Sequence, residues 1–455
     1  MADNTLLLAF YGDDFTGSTD AMEALAKSGY RTVLFLAPPT AELLRRFEGI
    51  RCVGVAGTSR AKAPKDMEEE LRPIMKELAV SGAPLVHYKT CSTFDSAPEV
   101  GSIGHAIRVS RDYFPSGQVV PLLVGAPALG RYTVFGNHFA RMKDETYRLD
   151  RHPVMSRHPI TPMDEADLRL HLGKQIDESI GLMNILELEG AFVDVLRRYK
   201  AKLTGSDSIV LHDVLDDERL LTSGGLLWET AGAEPQFVVG SSGIEYALTA
   251  YWKRIGLEAT ASAAKQPNVA AADRILAVSG SASPVSRQQI ETALAQGFHG
   301  IRIAPEQIAD GGSAPAELIE ETVRRLREGQ DVVLYTALGP DDPAIAATRE
   351  KLAAAGLQGN ESGEFIGGQL GRWTRRIVRE AGLRRVVIAG GDTSGFVMKE
   401  MGGYGLEMLL PVSPGAPLCK LYSEDGETDG LEVALKGGQF GSPDYFMKVK
   451  TSASE

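Results

Sequence analysis

Leu6-Leu7-Leu8-Ala9-Phe10-Tyr11-Gly12-Asp13-Asp14-Phe15-Thr16-Gly17-Ser18-Thr19-Asp20 sets the pattern for the whole chain. An apolar run of strand length, Leu6–Tyr11, ends in a glycine and two carboxylates, and an amphipathic stretch of helical length, Ala21–Ser28, follows. An uninterrupted apolar strand succeeded by such a helix reads as one βα step of a parallel sheet covered on both faces. The step recurs. Strand-length apolar runs stand at Arg31–Leu36, Cys52–Ala56, Leu85–Tyr88, Val119–Val124, Ile209–His212, Phe237–Val239, Ile275–Val278, Gly300–Ile303, Val332–Tyr335 and Arg385–Ala389, with helical stretches such as Ala316–Glu328 between them. The fold class is therefore α/β with mainly parallel sheets.

Leu257–Asp273 is rich in Ala, Ser and Thr, lacks apolar periodicity, and separates two βα series. It predicts a first α/β domain over 1–258, a linker over 259–273 and a second α/β domain over 274–455, a division that 455 residues readily allow. Arg141–Asp164 is also irregular, with His152-Pro153, His158-Pro159 and Thr161-Pro162. X-Pro pairs disfavour helix, so this stretch reads as a long loop, either a solvated crossover or a lid. Its histidines lack the tight spacing of metal ligands.

Composition excludes several classes. The 48 Lys and Arg residues against 60 Asp and Glu give a net charge of −12, which disfavours nucleic acid or an anionic membrane as partner. No apolar run reaches the ~18–20 residues of a membrane span, and the N-terminal run, bounded by acidic residues, does not read as a signal peptide. Cys52, Cys91 and Cys419 are odd in number and widely spaced, so a reducing cytoplasm is the expected compartment.

The chemistry-bearing residues follow strand ends, where open α/β sheets bind ligands. Asp13 and Asp14 close the first strand, and two carboxylates there can grip hydroxyls, one accepting a proton from a nucleophilic alcohol. They could otherwise cap the following helix. Arg60, in Gly57-Thr58-Ser59-Arg60, and Lys89, in His87-Tyr88-Lys89-Thr90-Cys91-Ser92-Thr93, put cations and hydroxyls at the next exits. Together these four residues describe a pocket for a small polyhydroxy anion.

In the second half, Ser279-Gly280-Ser281-Ala282-Ser283 leads from a strand into a helix, and Gly390-Gly391-Asp392-Thr393-Ser394-Gly395 follows another strand. Small residues there leave backbone N–H groups free for phosphate at a helix start. Neither is G-x-x-x-x-G-K-[ST]. An aspartic protease reading of Asp392-Thr393 fails because those enzymes need paired loops in β-rich lobes. Leu435-Lys436-Gly437-Gly438-Gln439-Phe440-Gly441 reads equally as a phosphate or adenine contact and as a hairpin turn.

Taken in order, these loops resemble the four-carbon acid sugar kinase family, with its A-D-D-x-T-G-like opening, Ser-Arg, Lys-x-x-Ser-Thr, G-S-x-S, G-G-D/E-T and late L-K-x-G-x-x-G. The resemblance covers nearly the whole chain. It implies an N-terminal sugar-acid-binding domain and a C-terminal nucleotide-binding domain, with the active site in the cleft between them and hinge closure during turnover. It implies a cytoplasmic transferase of carbohydrate metabolism that phosphorylates threonate, erythronate, 3-oxo-tetronate or a branched relative such as 3-oxo-isoapionate with ATP. Substrate contacts fall to Asp13, Asp14, Arg60 and Lys89, with Asp14, and next to it Asp13, as the catalytic carboxylate. Nucleotide contacts fall to Ser281, Ser283, Gly390, Gly391, Asp392, Thr393 and Gly438. Phosphoryl transfer calls for Mg²⁺, for which Asp392 is the candidate ligand.

The chain departs from the family in Gly12 before the aspartates, in Gly437 where Ser is common, and in longer Arg141–Asp164 and Ser423–Gly430 stretches. These departures bear on the substrate more than on the reaction. The expected partners are the sugar acid and ATP, without nucleic acid or membrane, and a homodimer is allowed. Two rival classes are a NAD(P)-dependent dehydrogenase of a small hydroxy acid and a non-catalytic sugar-acid-binding protein. The first requires G-x-G-x-x-G after a strand with an acidic residue ~20 positions on, an arrangement we do not find.

Overall fold

The computed structural model describes residues 6–158, 160–257, 268–311, 315–357 and 360–454, with the side chains of Asn360 and Asp392 outside the description. The chain divides into two compact units, Met1–Thr32 with Ala37–Ala264, and Val33–Leu36 with Lys265–Glu455.

The first eleven strands are β1 (Leu8–Gly12), β2 (Thr32–Phe35), β3 (Cys52–Ala56), β4 (Leu85–Lys89), β5 (Val120–Leu123), β6 (Arg131–Val134), β7 (Asn137–Met142), β8 (Glu145–Arg148), β9 (Ile180–Met183), β10 (Ile209–His212) and β11 (Gln236–Gly240). In the first unit they form a sheet of order β3-β1-β4-β11-β5-β10-β9, parallel at each described pairing. Leu8, Ala9, Phe10 and Tyr11 of β1 are fully buried, as expected of a strand covered on both faces. Each such large apolar side chain contributes about 1.5–3 kcal/mol on burial. β6, β7 and β8 form a separate antiparallel sheet. The long loop expected over 141–164 is therefore partly strand: the largely polar Arg141–Arg148 forms the turn of a hairpin, with Arg141 opposite Thr146 and Met142 opposite Glu145, despite its low apolar content.

The second unit continues with β12 (Leu276–Ser279), β13 (His299–Arg302), β14 (Val332–Tyr335), β15 (Arg385–Ala389), β16 (Gly403–Ser413), β17 (Ala416–Ser423) and β18 (Glu432–Lys436). Its strands run β13-β14-β12-β15-β18-β17-β16-β2. The pairings are parallel as far as β18 and antiparallel from there through β17 and β16 to β2. Val33–Leu36 thus belongs with the second unit, although it lies inside the segment 1–258 expected as the first domain. The reason is an edge: β2 hydrogen-bonds β16, with Leu34 opposite Leu406, and buries Val33, Leu34 and Phe35.

Of the expected linker over 259–273, residues 259–267 lie outside the described residues. Val269 and Ala272 pack into the core of the second unit with Ile275, Ile290 and Phe446. Their backbones bond Ser454 and Lys450. The described end of that segment is therefore part of the fold.

Candidate active site

The β1 exit builds the first cluster. Asp14 adopts an extended backbone as N-cap of the helix Phe15–Lys27, and its Oδ1 accepts from the Gly17 amide at 2.8 Å. Capping is thus real, but it occupies only part of the acidic pair. Arg60 donates from Nε and Nη2 to both oxygens of Asp13, at 3.2 and 2.6 Å, and its Nη2 lies 2.8 Å from Asp14 Oδ1. One guanidinium therefore ties the two aspartates together.

Arg60 is itself placed by the stacked rings of Tyr11 and Tyr88. Ser59 Oγ meets the Tyr88 hydroxyl at 3.1 Å, and the Ser59 amide donates to the Tyr11 hydroxyl at 3.3 Å. Tyr11 donates to Glu70 Oε1 at 2.6 Å, and Thr58 donates to both Glu70 oxygens at 2.9 Å. Burial would raise the Glu70 carboxyl, but bonds from Lys62, Tyr11 and Thr58 hold it below the ordinary range.

Lys89 is 3% exposed, and its Nζ has no hydrogen-bond or ion-pair partner among the described residues. A Cβ on Gly17 would lie 2.2 Å from that Nζ and 2.3 Å from Asp14 Oδ1, so only glycine fits between the ammonium and the carboxylate. Burial pushes the Asp13 carboxyl above its usual range while Arg60 opposes the rise. The four residues expected at this site, Asp13, Asp14, Arg60 and Lys89, are thus together. A buried ammonium facing the carboxylates of Asp13, Asp14 and Asp20, beside a guanidinium that clamps the first two, can receive an acid's carboxylate and its hydroxyls.

Asp95 was not among the expected residues. It is buried, accepts from Thr93 Oγ1 at 2.5 Å and from Thr161 Oγ1 at 3.3 Å, and senses the Arg60 charge. Burial would raise its carboxyl, but the Arg60 charge and hydrogen bonds from Thr93 and Cys91 hold it below the ordinary range. The signal was present two residues beyond Thr93. Thr161 comes from the irregular stretch over 141–164, whose far end therefore reaches this cluster.

In the second unit, three loops meet. The helix Gly391–Glu400 starts from Gly390 at φ 141° without a side-chain cap, a backbone conformation open to glycine. A Cβ on Gly390 would lie 2.8 Å from Thr393 Oγ1 and 3.6 Å from the Ser281 amide, and one on Gly438 would lie 2.9 Å from Ser281 Oγ. Ser283 caps the helix Pro284–Ala295 by accepting from the Ser286 amide at 3.0 Å, and it donates to the Gly438 carbonyl. Its hydroxyl is therefore spent on holding the loops. Ser281, Ser283, Gly390, Gly391, Thr393 and Gly438 are together, and Asp392 lies in the first turn with its side chain outside the described residues. Ser279 Oγ, at the end of β12, is buried without a hydrogen-bond partner. The uncapped helix start at Gly390, beside the Val285 amide and the orphan Ser279 hydroxyl, suits a phosphate chain.

Both clusters occupy the same kind of place. β1 and β4 are neighbours whose onward connections leave toward opposite edges of their sheet, and so are β12 and β15. Such switch points open a crevice at the carboxyl ends of the strands.

Among the described residues no group of three or more His, Cys, Asp or Glu side chains is placed to hold a metal ion. No helix among them is long and apolar enough to cross a membrane.

Comparison with known proteins gives matching domains. Residues 8–248 match the family described as a sugar-binding N-terminal domain, and residues 276–446 match a nucleotide-binding C-terminal domain. A 3-oxo-isoapionate kinase of Paraburkholderia graminis is 46% identical over 98% of this chain and 94% of its own length. A 3-oxo-tetronate kinase of Pseudomonas fluorescens is 31% identical over 97% of this chain and 96% of its own. A solved Salmonella typhimurium structure, 22% identical, covers 98% of both chains with a TM-score of 0.75 and shares the fold. The chain belongs to the four-carbon acid sugar kinase family, built from a sugar-binding N-terminal and a nucleotide-binding C-terminal domain.

Proposed function

We propose that the chain is a kinase that transfers the γ-phosphoryl group of ATP to a hydroxyl of a small 3-oxo polyhydroxy acid, with a branched five-carbon acid of the 3-oxo-isoapionate type as the preferred acceptor. The 46% identity to a 3-oxo-isoapionate kinase, against 31% to a 3-oxo-tetronate kinase, supports that preference. The observation that carries the reading is the Arg60 clamp on Asp13 and Asp14 beside the buried Lys89.

Lys89 takes the acid's carboxylate. Asp13, closed by two bonds to Arg60 and almost fully buried, fixes the guanidinium. Asp14 keeps a quarter of its side chain exposed, 26% against 6% for Asp13, and is the carboxylate that reaches the substrate. It orients the attacking hydroxyl and accepts its proton as the bond to phosphorus forms. The amides at the starts of the helices Gly391–Glu400 and Pro284–Ala295 hold phosphate oxygens, where developing charge is stabilised without reorganisation.

Mg²⁺ brings charge neutralisation and takes most of its ligands from phosphate and water. The orphan Ser279 hydroxyl and Thr393 are oxygen donors of the kind it accepts, and Asp392 is the sequence's candidate ligand. We place the activity in the cytoplasm, where ATP is available and three free thiols persist.

The test is an ADP-release screen of the purified chain with MgATP over C4 and branched C5 sugar acids. Turnover with a 3-oxo acid is expected, fastest with the branched one. A folded chain that binds ATP yet releases no ADP above the acid-free background would leave the non-catalytic binding reading in its place.

A further inference from the structure

Lys436 ends β18 directly beneath the three nucleotide-site loops, and no role has yet fallen to it. Its side chain is 1% exposed. Its Nζ donates to Ser286 Oγ at 3.1 Å, and among the described residues no carboxylate lies within ion-pair distance. The elements packed around it bring hydroxyls and apolar groups. The helix Pro284–Ala295 gives Ser286, the turn before it gives Ser283, β15 gives Ala389 and β17 gives Leu418 opposite Ala434. The charged groups on those elements face elsewhere: Arg287 pairs with Glu291, Arg385 with Glu432, and Lys420 lies over the Tyr422 ring. The helix Gly391–Glu400 also packs against β18; its Glu400 pairs with Arg372, Lys399 lies in its last turn, and the side chain of Asp392 is outside the described residues.

Ser286 Oγ and Ser283 Oγ both reach the Gly438 carbonyl, so the ammonium is tied into the turn that carries Gly438. A buried cation with spare donors and no anion within ion-pair distance among the described residues is costly to the empty protein. Burial alone lowers this amine to about 8.

Resting on the kinase reading, we propose that Lys436 is the buried counter-charge of the nucleotide's phosphate chain, a binding residue for polyphosphate rather than for adenosine. The phosphates supply the anion that the fold withholds. Bound nucleotide then favours the ammonium, so ATP binding above pH 8 takes up a proton at this lysine.

The experiment is calorimetry of MgATP and adenosine binding to the full chain at pH 8.5, in two buffers of different ionisation enthalpy. The wild type takes up a fraction of a proton with MgATP and none with adenosine. Lys436→Met loses that uptake and weakens MgATP by about ten- to a hundredfold, the range of a hydrogen-bonded charge, while adenosine affinity stays within about twofold. Unchanged adenosine binding shows that the variant is folded. MgATP binding by the wild type without proton uptake overturns the role of Lys436 and leaves the kinase reading standing. Uptake that persists in Lys436→Met overturns it equally, because another group then holds the proton. No MgATP binding by the wild type at all overturns the kinase reading itself.

Discussion

Removing the guanidinium of Arg60 should expose how the acidic pair is held. Arg60 meets Asp13 at 2.6 and 3.2 Å and Asp14 at 2.8 Å, and Asp13 is only 4% exposed. Breaking a fully buried pair costs about 3–5 kcal/mol. The Arg60 side chain keeps 25% of its exposure, so water screens part of the loss and about 2–3 kcal/mol is expected. In a unit of this size each kcal/mol shifts Tm by about 2–4 °C, so Arg60→Met should melt roughly 4–12 °C lower.

Asp13→Asn removes the charge that Arg60 compensates, so the two changes should not add. In a double-mutant cycle the coupling should be about 1–3 kcal/mol in favour of the wild-type pair. The pH dependence has a fixed sign. The folded Asp13 carboxyl sits above its unfolded value, so its stabilising contribution is present below the unfolded pKa and lost as pH rises through the folded one. Without Arg60 the folded value rises further. The stability gap between Arg60→Met and wild type should therefore be wider at pH 8 than at pH 5.5. Urea unfolding of the four proteins at both pH values is the assay. Additivity within about 0.5 kcal/mol, or a gap independent of pH, would refute the clamp.

Asp14→Asn keeps an oxygen to accept from the Gly17 amide at 2.8 Å but cannot take a proton. It should lower kcat by about 10²–10⁴ while Tm and the KM for the acid hardly move, and a kcat within a few-fold of wild type would remove Asp14 from the chemistry. Gly438→Val places a Cβ 2.9 Å from Ser281 Oγ and 3.4 Å from Ser283 Cβ, and its branches fill the turn. Steady-state kinetics should show the KM for ATP rising about tenfold or more, with binding of the acid unchanged. Gly224→Ala sets a Cβ 2.0 Å from the Ala247 carbonyl oxygen, where the helix Asp217–Thr230 crosses Gly243–Arg254. Separating the helices should cost about 1–3 kcal/mol in thermal melts, with kcat near wild type below the transition.

Most of the strands that announced themselves are buried along nearly their whole length, although the run Gly300–Ile303 falls on the half-exposed β13. Runs such as Cys52–Ala56, Ile209–His212, Val332–Tyr335 and Arg385–Ala389 are strands with those bounds because a strand covered on both faces has to be apolar at every position. Several of the strands that the apolar runs did not mark are half-buried. Arg131–Val134, Asn137–Met142 and Glu145–Arg148 carry charges and amides on their open faces, and the eleven residues of β16 are mostly half-exposed. β2 was legible as a strand but not as a member of the second unit, since the partner that selects it, β16, lies some 370 residues along the chain.

The site divides in the same way. Asp13, Asp14, Arg60 and Lys89 were legible because each follows an apolar run. That Asp95 is bonded to Thr161, that the Ser279 hydroxyl is unbonded and that Lys436 is isolated depend on what surrounds them, which a linear sequence does not carry.

Strand order also explains which exits acquired chemistry. Each parallel strand of the first unit ends in a loop, yet the ionic cluster gathers at the ends of β3, β1 and β4, three neighbours around the switch point. The β10 end also carries an acid, Asp213, but there the carboxylate accepts from the amides of Phe135, Gly136 and Ile185, at 2.6, 2.9 and 3.1 Å. It fastens the β6–β7 hairpin and has little left for a ligand. The difference is one of connection. Between β1 and β4 the outgoing chain segments part toward opposite edges of the sheet, whereas at the β10 exit backbone amides take up the carboxylate. A carboxylate at the β10 exit satisfies amides; at the β1 exit it needs a cation of its own, and Arg60 is that cation. In the second unit the same opening between β12 and β15 is lined by hydroxyls and amides, with its one buried ammonium beneath them. On the proposal that Lys436 meets the phosphate chain, an anionic ligand there would complete the charge balance, and the proton on Lys436 is the quantity to measure.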